Sequence, residues 1–439
     1  MGGKKENMEQ NKAVYSDKSY KRSRNAYRME CTFEYFVTLL IADAYLAKVL
    51  SSIGMSDALI GVVSSFVSLA FLFQLAAVFA VQKISNTKRF VTIFHTLSQL
   101  FFVSLYLVPF LPFASEYKQV LAMACIIFGY FGNYFVTMMI FKWGNSFVDP
   151  EKRGSFSAGK EMISLASGIV ITLLIGYAMD AFEAAGNQSG AFIFIAVAIF
   201  IFCLSDFVCL MMIKNRIQDK NEPVEKIPFT EAVRNTLGKK NYRRVLYLAS
   251  LRDIARYMTV GFLGIYRIQE LALTLGMVQV INMIGALSRF LMSKPFGKYS
   301  DKTSYAKGLE LALLIVAVAH VAVVFTTPTT WFFIILYSVL SNIGNAGTNS
   351  NFHNIMYSYV DEKYFVQASA IKNSVAGVLG FLAALVASAI LSAVQANGNK
   401  ILGMTVYAQQ LLAFISFVLY LLCFLYIHFV ISKQKVMKQ

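Results

Sequence analysis

A stretch of 29 residues occurs twice in this chain, and this repetition limits the fold more than any other feature of the sequence. Gly132–Lys160 and Gly344–Lys372 lie 212 residues apart and share eight identical positions. Unrelated sequences would share about two. Each copy leads from one long apolar segment, across a short charged turn, into the next. The sequence therefore predicts two related halves that are built from apolar segments.

The apolar segments have the length of membrane spans. The chain is 57% hydrophobic and 15% charged, and it repeatedly exceeds 18 nearly uncharged residues in a row. We predict an all-α membrane protein with twelve transmembrane helices, arranged as two pseudo-symmetric bundles of six. The predicted spans are 30–52, 57–81, 89–110, 119–142, 155–180, 190–213, 244–266, 271–293, 309–326, 330–356, 366–394 and 407–430. The tenth span is rich in Asn and Ser between residues 341 and 354.

The distribution of basic residues predicts the topology. Of the 40 Lys and Arg residues, 30 lie on the side of both termini if the spans are as predicted. The opposite side carries Lys118, Arg267 and Lys400. This asymmetry predicts cytoplasmic termini in a multi-pass plasma-membrane protein. It also explains the net charge of +16 by a basic surface that faces anionic lipid, without a nucleic-acid partner.

The topology divides the chain into five parts. We expect a cytoplasmic tail at 1–28, a first bundle at 29–213, a cytoplasmic linker at 214–243, a second bundle at 244–430 and a tail at 431–439. Within the linker, Phe229–Leu237 is predicted to form a short amphipathic helix on the membrane surface.

A short motif links this architecture to a known family. Gly297–Lys302, after the eighth span, resembles the signature that the major facilitator superfamily carries between the second and third spans of each half. The first half has a diverged copy, Gln82–Lys88, in which Asn86 replaces the expected acid. The resemblance extends from Arg28 to Ile431. It implies a secondary transporter that works by alternating access and binds a small-molecule substrate, and we expect it to act as a monomer.

The signature implies a latch that holds the cytoplasmic gate shut. An acid at the end of one span can pair with basic residues or with a helix terminus of the other half. Asp301 and Lys298 fit this role, and Asp149 with Lys160 and Asp361 with Lys372 are predicted reciprocal pairs. We assign these six residues and Asn86 to gating. The alternative is that they are helix-end charges that only set the topology.

Charges inside the spans mark candidate binding residues, because a charge there needs water or a partner. Asp43 and Arg256 lie at matched depths in the first and seventh spans and are predicted to share a central cavity. We assign Asp43, Arg252 and Arg256 to substrate binding, and Asp43, Glu34 and Asp253 to coupling with an ion, which we expect to be a proton. Alternatively, Asp253 or Glu34 neutralises Arg252. The remaining acids and bases near span ends are expected to reach the interface: Glu30, Lys142, Asp180 and Glu310.

Polar side chains also occur at matched places in the fourth and tenth spans. Asn133 and Thr137 correspond to Asn345 and Asn349 in the repeat. Amides beside aromatic rings would suit a polar solute such as a sugar or nucleoside, so these four residues are further candidates for substrate binding. The alternative is hydrogen bonding between helices.

We therefore expect a transporter of a small polar or anionic organic solute, most simply a proton- or cation-coupled symporter. Two alternatives remain: an exporter of drugs or amphiphiles, and a membrane receptor or scaffold on the same fold. An enzyme is not expected, because the sequence has no recognisable nucleophile, metal set or phosphate loop. No cofactor or metal is expected, and the five cysteines are interpreted as small apolar packing residues.

Overall fold

The computed structural model describes residues 18–80, 87–148, 153–214, 228–361, 364–401 and 404–432. In these ranges the chain is almost entirely helical. The helices of the first half are α1 Lys18–Leu40, α2 Asp43–Ser52, α3 Asp57–Ser64, α4 Phe66–Leu69, α5 Phe71–Ala80, α6 Thr87–Leu107, α7 Ser115–Asn145, α8 Arg153–Ala184 and α9 Gln188–Met212. A 3₁₀ turn, Val108–Phe110, extends α6.

The second half repeats this order after a linker helix. The linker helix is α10 Phe229–Leu237, as predicted, and it is followed by α11 Lys240–Tyr257, α12 Val260–Ile265, α13 Leu275–Lys302, α14 Tyr305–Val324, α15 Phe333–Tyr357, α16 Phe365–Ala396 and α17 Ala408–Tyr426. π-Helical turns extend α12 over Tyr266–Glu270 and α17 over Ile427–Ile431. A small antiparallel hairpin pairs β1 Lys400–Ile401 with β2 Met404–Thr405.

Nine helical segments of the described chain are long and apolar enough to cross a membrane. Three further predicted spans, the first, the seventh and the tenth, are not among these nine. The first span is divided into α1 and α2, the seventh is divided into α11 and α12, and the tenth, α15, carries several Asn and Ser residues. The architecture is therefore an all-α membrane fold that is consistent with twelve spans.

The two halves pack their helices in the same pairs, as expected of a duplicated unit. In the first half α1 packs on α8 and α9, and α6 packs on α7 and α9. In the second half α11 packs on α16 and α17, and α14 packs on α15 and α17. The equivalent helices thus occupy equivalent places in both bundles.

The first helix of each half is broken near its midpoint, α1–α2 at residues 41–42 and α11–α12 at residues 258–259. A break inside a membrane leaves backbone carbonyls that need new donors. The hydroxyls of Tyr106 and Tyr130 donate to the carbonyls of Leu40 and Ile41. In the second half, Thr259 at the break is held by α17 instead, because its hydroxyl donates to the carbonyl of Leu412 at 3.2 Å. Both breaks are thus supported by neighbouring helices.

Two boundaries and the setting of the linker helix differ from the predictions. Helix α1 begins at Lys18, and Ala26 and Tyr27 are buried, so part of the predicted tail belongs to the bundle. Gly297–Lys302, predicted as a loop, forms the last turns of α13, which continues through Pro295. The linker helix α10 is anchored on the second half, because the Tyr364 hydroxyl donates to Glu231 at 2.7 Å and Ala232 is buried.

Candidate functional site

The end of the bundle at which α1 begins and α9 ends, where the Lys214 amide donates to the Ser23 hydroxyl, is here called the basic face, and the other end is the opposite face. Near the opposite face, several polar contacts join the two halves. Asp180 of α8 accepts hydrogen bonds from the backbone amides of Leu275 and Gly276 at 3.0 and 2.8 Å. Gln395 of α16 donates to Asp57 of α3 at 2.9 Å. These contacts hold the halves together at this end.

Asp43 lies at the centre of these contacts. Its carboxylate accepts hydrogen bonds from the Arg267 guanidinium at 2.7 Å and from the Asn282 amide at 3.2 Å. Asn282 Oδ1 in turn accepts from Arg267 at 3.3 Å. Asp43 has φ +49°, a strained conformation for a residue other than glycine, at the break between α1 and α2. Arg267 is 6% exposed and Asp43 31%. The result is a charge-assisted network that bridges the halves.

The predicted matched depth of Asp43 and Arg256 is wrong, whereas their sharing of a central cavity stays a prediction. The repeat maps Asp43 onto Met258, but the backbone of Asp43 lies beside Gly264, so close that a Cβ on Gly264 would be 2.6 Å from the Asp43 carbonyl carbon. Asp43 is therefore roughly one and a half turns further along the seventh span than its repeat mate, at 3.6 residues per turn. Arg267, one turn beyond Gly264, is the cation within reach.

Sequence reasoning missed Arg267 and Asn282. The predicted spans place Arg267 in the loop at the opposite face, but a π-helical turn continues the seventh span to Glu270 and buries it. One signal was available: Arg267 lies 11 residues after Arg256, about three helical turns, and therefore on the same helical face. Asn282 has no polar mate in the repeat that would have marked it.

Arg256 is placed differently from Arg267. Its side chain is solvent-accessible although it lies near the middle of the seventh span. Its electrostatic neighbours include Tyr134 of the first half and Tyr257 and Tyr420 of the second. No carboxylate of the described residues lies within ion-pair distance of Arg256. The guanidinium therefore faces an accessible space between helices of both halves, among tyrosine side chains.

Two tyrosines lie within electrostatic range of both Arg256 and the predicted coupling residues. Tyr134 lies within electrostatic range of both Arg256 and Glu34, so Glu34 of α1 is on the first-half side of the same space. Tyr337 of α15 lies within range of Arg256, Arg267 and Asp43. The Asp43 network and Arg256 thus lie at successive levels of one interface.

Arg252 is internally paired, which was the alternative left open by the sequence. Its guanidinium lies 3.3 Å from the carboxylate of Asp253, and it packs over the Phe352 ring at 5.6 Å from the ring centroid. Lys372 lies over the same ring at 5.6 Å and within electrostatic range of both Arg252 and Asp253. This group contains two cations and one anion, so with Arg256 the second half has a surplus of positive charge here.

The structure places the four polar residues of the repeat in two different environments. Asn133 is 6% exposed on the stripe of α7 that includes Gly129 and Val136, and Gly129 is packed against Phe102 of α6. Its role as a substrate-binding residue therefore stays a prediction, since the side chain is buried in this structure. The Thr137 hydroxyl donates to the Asn133 carbonyl at 2.7 Å within the same helix.

Asn345 and Asn349 have a different setting. On α15, Asn345 lies between Tyr337 and Phe352 on one helical face, two turns from each. Tyr337 is within electrostatic range of Arg256, and Arg252 lies over the Phe352 ring. Asn349 is exposed and Asn345 is half-buried. An exposed amide in a membrane span requires a polar environment, so both remain candidates for the central space.

Of the two predicted gating pairs, Asp361–Lys372 is not formed, and Asp149–Lys160 includes a residue outside the described chain. Asp361 pairs with Lys239 at 2.7 Å rather than with Lys372, because Lys239 ends the linker beside α16. Lys160 contacts the Tyr27 hydroxyl at 3.3 Å and the Cys31 sulfur at 3.2 Å. Asp149, its predicted partner, and Asn86 lie outside the described residues. Asp301 and Lys298 are exposed at the end of α13, and within the described ranges Asp301 has no ion pair.

The four charged residues expected to reach the membrane interface have different surroundings. Asp180 joins the halves as described, and Glu310 accepts a contact from His428 at 2.8 Å. Glu30 is fully buried, because α1 starts twelve residues before it and carries it into the bundle. The Lys142 side chain lies outside what the structure describes.

Comparisons with known proteins agree with this architecture. The family model of the Major Facilitator Superfamily matches residues 29–384. A sequence comparison with curated proteins finds no match. Among solved structures, a single-residue mutant of the nucleoside transporter NupG superposes with a TM-score of 0.69 at 12% identity, covering 92% of this chain and 99% of that one.

Two further structures share the fold. An auto-inhibited POT family peptide transporter superposes with a TM-score of 0.71 at 12% identity, covering 96% of this chain and 98% of that one. The E. coli fucose:proton symporter FucP gives a TM-score of 0.56 at 12% identity, covering 95% of this chain and 98% of that one. These similarities establish the fold alone. With the duplicated bundles and the family match over most of its length, the chain belongs to the major facilitator superfamily of membrane transporters.

Proposed function

We propose that this protein is a secondary active transporter that moves a small polar or anionic organic solute across the plasma membrane by alternating access, coupled to a proton or another cation. The observation that carries the proposal is Arg256, a solvent-accessible guanidinium among tyrosines that lacks an ion-pair partner in the described chain. A guanidinium can bind a carboxylate or phosphate through two parallel hydrogen bonds. The tyrosine hydroxyls and the Asn345 amide would bind the polar groups of the solute.

The surplus positive charge supports an anionic solute. Arg256 adds to the group of Arg252, Asp253 and Lys372, so three cations face one anion inside the membrane. Such a surplus is costly without water or a counter-charge. An anionic substrate would supply the counter-charge. Glu34, on the other side of the space, would repel a second anion.

Asp43 is suited to ion coupling because its carboxylate pairs with Arg267 of the other half. Its ionised carboxylate holds the halves together at the opposite face. A proton on Asp43 would remove the ion pair and favour opening of that face, and loss of the proton would favour its closure. The halves also meet nearer the basic face, where Arg289 lies 3.6 Å from Glu161, but this pair is more exposed: its side chains are 33% and 61% exposed, against 6% for Arg267 and 31% for Asp43.

Ligand-dependent thermal stability of the purified protein tests the binding site. A panel of organic anions, sugars, nucleosides and amino acids is screened for ligands that raise the melting temperature, since binding to the folded state stabilises it. Arg256→Gln should weaken binding of the ligand found by roughly 10- to 150-fold, because a hydrogen bond to a charged group contributes about 1.5–3 kcal/mol. Arg289→Gln, an arginine near the basic face, is the matched control and should bind normally.

Transport in proteoliposomes tests the mechanism. A proton gradient should drive uptake by the unaltered protein, and Asp43→Asn should abolish the pH dependence while retaining exchange of substrate across the membrane. Unchanged pH dependence in Asp43→Asn would refute the coupling role. Binding without any transport would favour a receptor on this fold. An exporter of amphiphiles would require both Arg252 and Arg256 to form ion pairs, and within the described chain only Arg252 does so.

A further inference from the structure

Three titratable side chains meet inside the first half, away from the candidate substrate site. Glu30 of α1, His95 of α6 and Asp206 of α9 are 0%, 0% and 1% exposed. Helix α9 packs on both α1 and α6, which brings the three residues together. None of them was singled out as a site residue by the sequence, because their separation along the chain has no recognisable spacing.

The polar atoms of these residues are close together and poorly satisfied. One potential ligand atom from each residue lies within 4.8 Å of the other two. Asp206 Oδ2 lies 3.0 Å from His95 Nε2, but without the geometry of a hydrogen bond. Within the described chain, Glu30 Oε1, both carboxylate oxygens of Asp206 and His95 Nδ1 have no hydrogen-bond partner. Buried acceptors left in this state are expensive unless a cation or proton occupies the space between them.

The negative charge of two ionised carboxylates at this place would have to be balanced inside the site. Two ionised carboxylates and a neutral imidazole carry two negative charges in a site without access to water. Lys160 is the neighbouring base, but its ammonium contacts Tyr27 and Cys31 instead of the carboxylates. A divalent cation would cancel both charges and use the imidazole as a neutral ligand. A proton shared between the carboxylates, together with a second proton on His95 beside Asp206, would also cancel both charges, and the metal content of the protein distinguishes the two cases.

We propose that Glu30, His95 and Asp206 bind a resident divalent transition-metal ion, with Zn²⁺ as the best match. Zn²⁺ binds imidazole nitrogen and carboxylate oxygen at about 2.0–2.2 Å, usually with four ligands. Ligand atoms around such an ion are roughly 3.3–3.6 Å apart, so the observed cluster must contract slightly, which rotation of the two carboxylates allows. The Cys31 sulfur lies 3.1 Å from Glu30 Oε2 but outside this group of ligand atoms, so the protein supplies three ligands.

Such an ion would fix the position of α1. Its three ligands come from three helices, so it would connect α1, which carries Glu34 one turn after Glu30, to the outer helices α6 and α9. A buried ion without access to the central space would remain bound during transport. It would act as a structural ion in the first half and not as cargo.

Metal content of the purified full-length protein provides the first test. Mass spectrometry should find about one equivalent of zinc or a related metal per chain, as expected for a structural site. Glu30→Gln and Asp206→Asn should each lower this content about tenfold or more, in line with the loss of one ligand from a metal centre. The control is Glu310→Gln, which removes the acid of the pair formed with His428 and should leave the metal content unchanged.

Cobalt substitution of the unaltered protein provides a test that does not depend on the folding of a variant. Removal of metal with a chelator should lower the melting temperature, and Zn²⁺ or Co²⁺ should restore it. Bound Co²⁺ should give visible absorption bands. If the purified protein contains no metal, and neither ion changes its melting temperature or gives a spectrum, the proposal is refuted and protons balance the cluster.

Discussion

Replacement of Asp43 by Asn should open the face of the transporter that the Asp43–Arg267 ion pair closes. The substitution keeps the size of the side chain and one acceptor for hydrogen bonds, but it removes the negative charge 2.7 Å from the guanidinium. Arg267, at 6% exposure, would then be a buried cation without a counter-ion in the closed form. In a form with the halves separated at this face, Arg267 would be hydrated, so the cost applies to the closed form alone.

The magnitude follows from the geometry. Two unit charges about 4 Å apart attract by about 4 kcal/mol at an effective dielectric constant of 20. Removal of one partner of a buried ion pair costs about 3–5 kcal/mol. Because Asp43 is 31% exposed and Asn retains a hydrogen bond, we expect about 2–3 kcal/mol, or a shift of about 30- to 150-fold in the equilibrium. A form populated at about 1% would rise to about 23–60%.

Distances between spin labels can measure this shift. Gln188 at the start of α9 and Thr329 between α14 and α15 are exposed at the opposite face of the two halves, so they are suitable positions in a variant without the five native cysteines. Asp43→Asn should add a population with a longer distance between the labels. Arg267→Gln together with Asp43→Asn should reverse part of the shift, because the buried unpaired cation is then absent.

The matched control is Glu183→Gln. Glu183 pairs with Lys48 near the same face, but both residues belong to the first half, so loss of this pair should leave the distance between the labels unchanged. The reasoning is refuted if Asp43→Asn gives the same distribution of distances as the unaltered protein. It is equally refuted if Glu183→Gln produces the same shift as Asp43→Asn.

Three further substitutions test other contacts. Gly264→Ala should destabilise the closed form by about 1–3 kcal/mol, since the new Cβ would lie 2.6 Å from the Asp43 backbone. The distance between the same two labels should therefore increase. Gly159→Ala, whose new Cβ would have no atom within 4 Å, should leave that distance unchanged. Asp180→Ala should lower the free energy of unfolding by about 1–2 kcal/mol in denaturation experiments, because the amides of Leu275 and Gly276 lose their acceptor. Asp180→Asn, which keeps an acceptor, should retain most of the stability. Asp361→Asn should change the unfolding free energy by less than about 1 kcal/mol, because its pair with Lys239 is exposed, and a larger loss would mean that Asp361 has a buried partner.

The positions of the helices could be predicted from the sequence because membrane insertion is governed by local properties. A long apolar segment must form a helix in lipid to satisfy its backbone, wherever its neighbours are. The duplication around Gly132 and Gly344 then predicted equivalent helices in two halves, and the family resemblance of Gly297–Lys302 predicted the superfamily. The limits of the linker helix, Phe229–Leu237, also agree with the structure.

The partners of the charged residues depended on the tertiary structure. The repeat placed Asp43 at the depth of Met258, but the two halves meet with Asp43 beside Gly264, an offset that neither half contains in its own sequence. This offset decides that Asp43 binds Arg267 and leaves Arg256 accessible. The rotation of α7 about its axis likewise buried Asn133, although its repeat mate Asn345 remains a candidate for the substrate site.

The sequence alone thus determined which segments cross the membrane, how they repeat and which of them carry charge. Only the tertiary structure decided which charges meet. Hydrophobicity is a property of each segment, whereas an ion pair requires two atoms from distant segments to lie within about 4 Å of each other. The cluster of Glu30, His95 and Asp206 arises in the same way, from three helices whose packing brings together residues far apart in the chain.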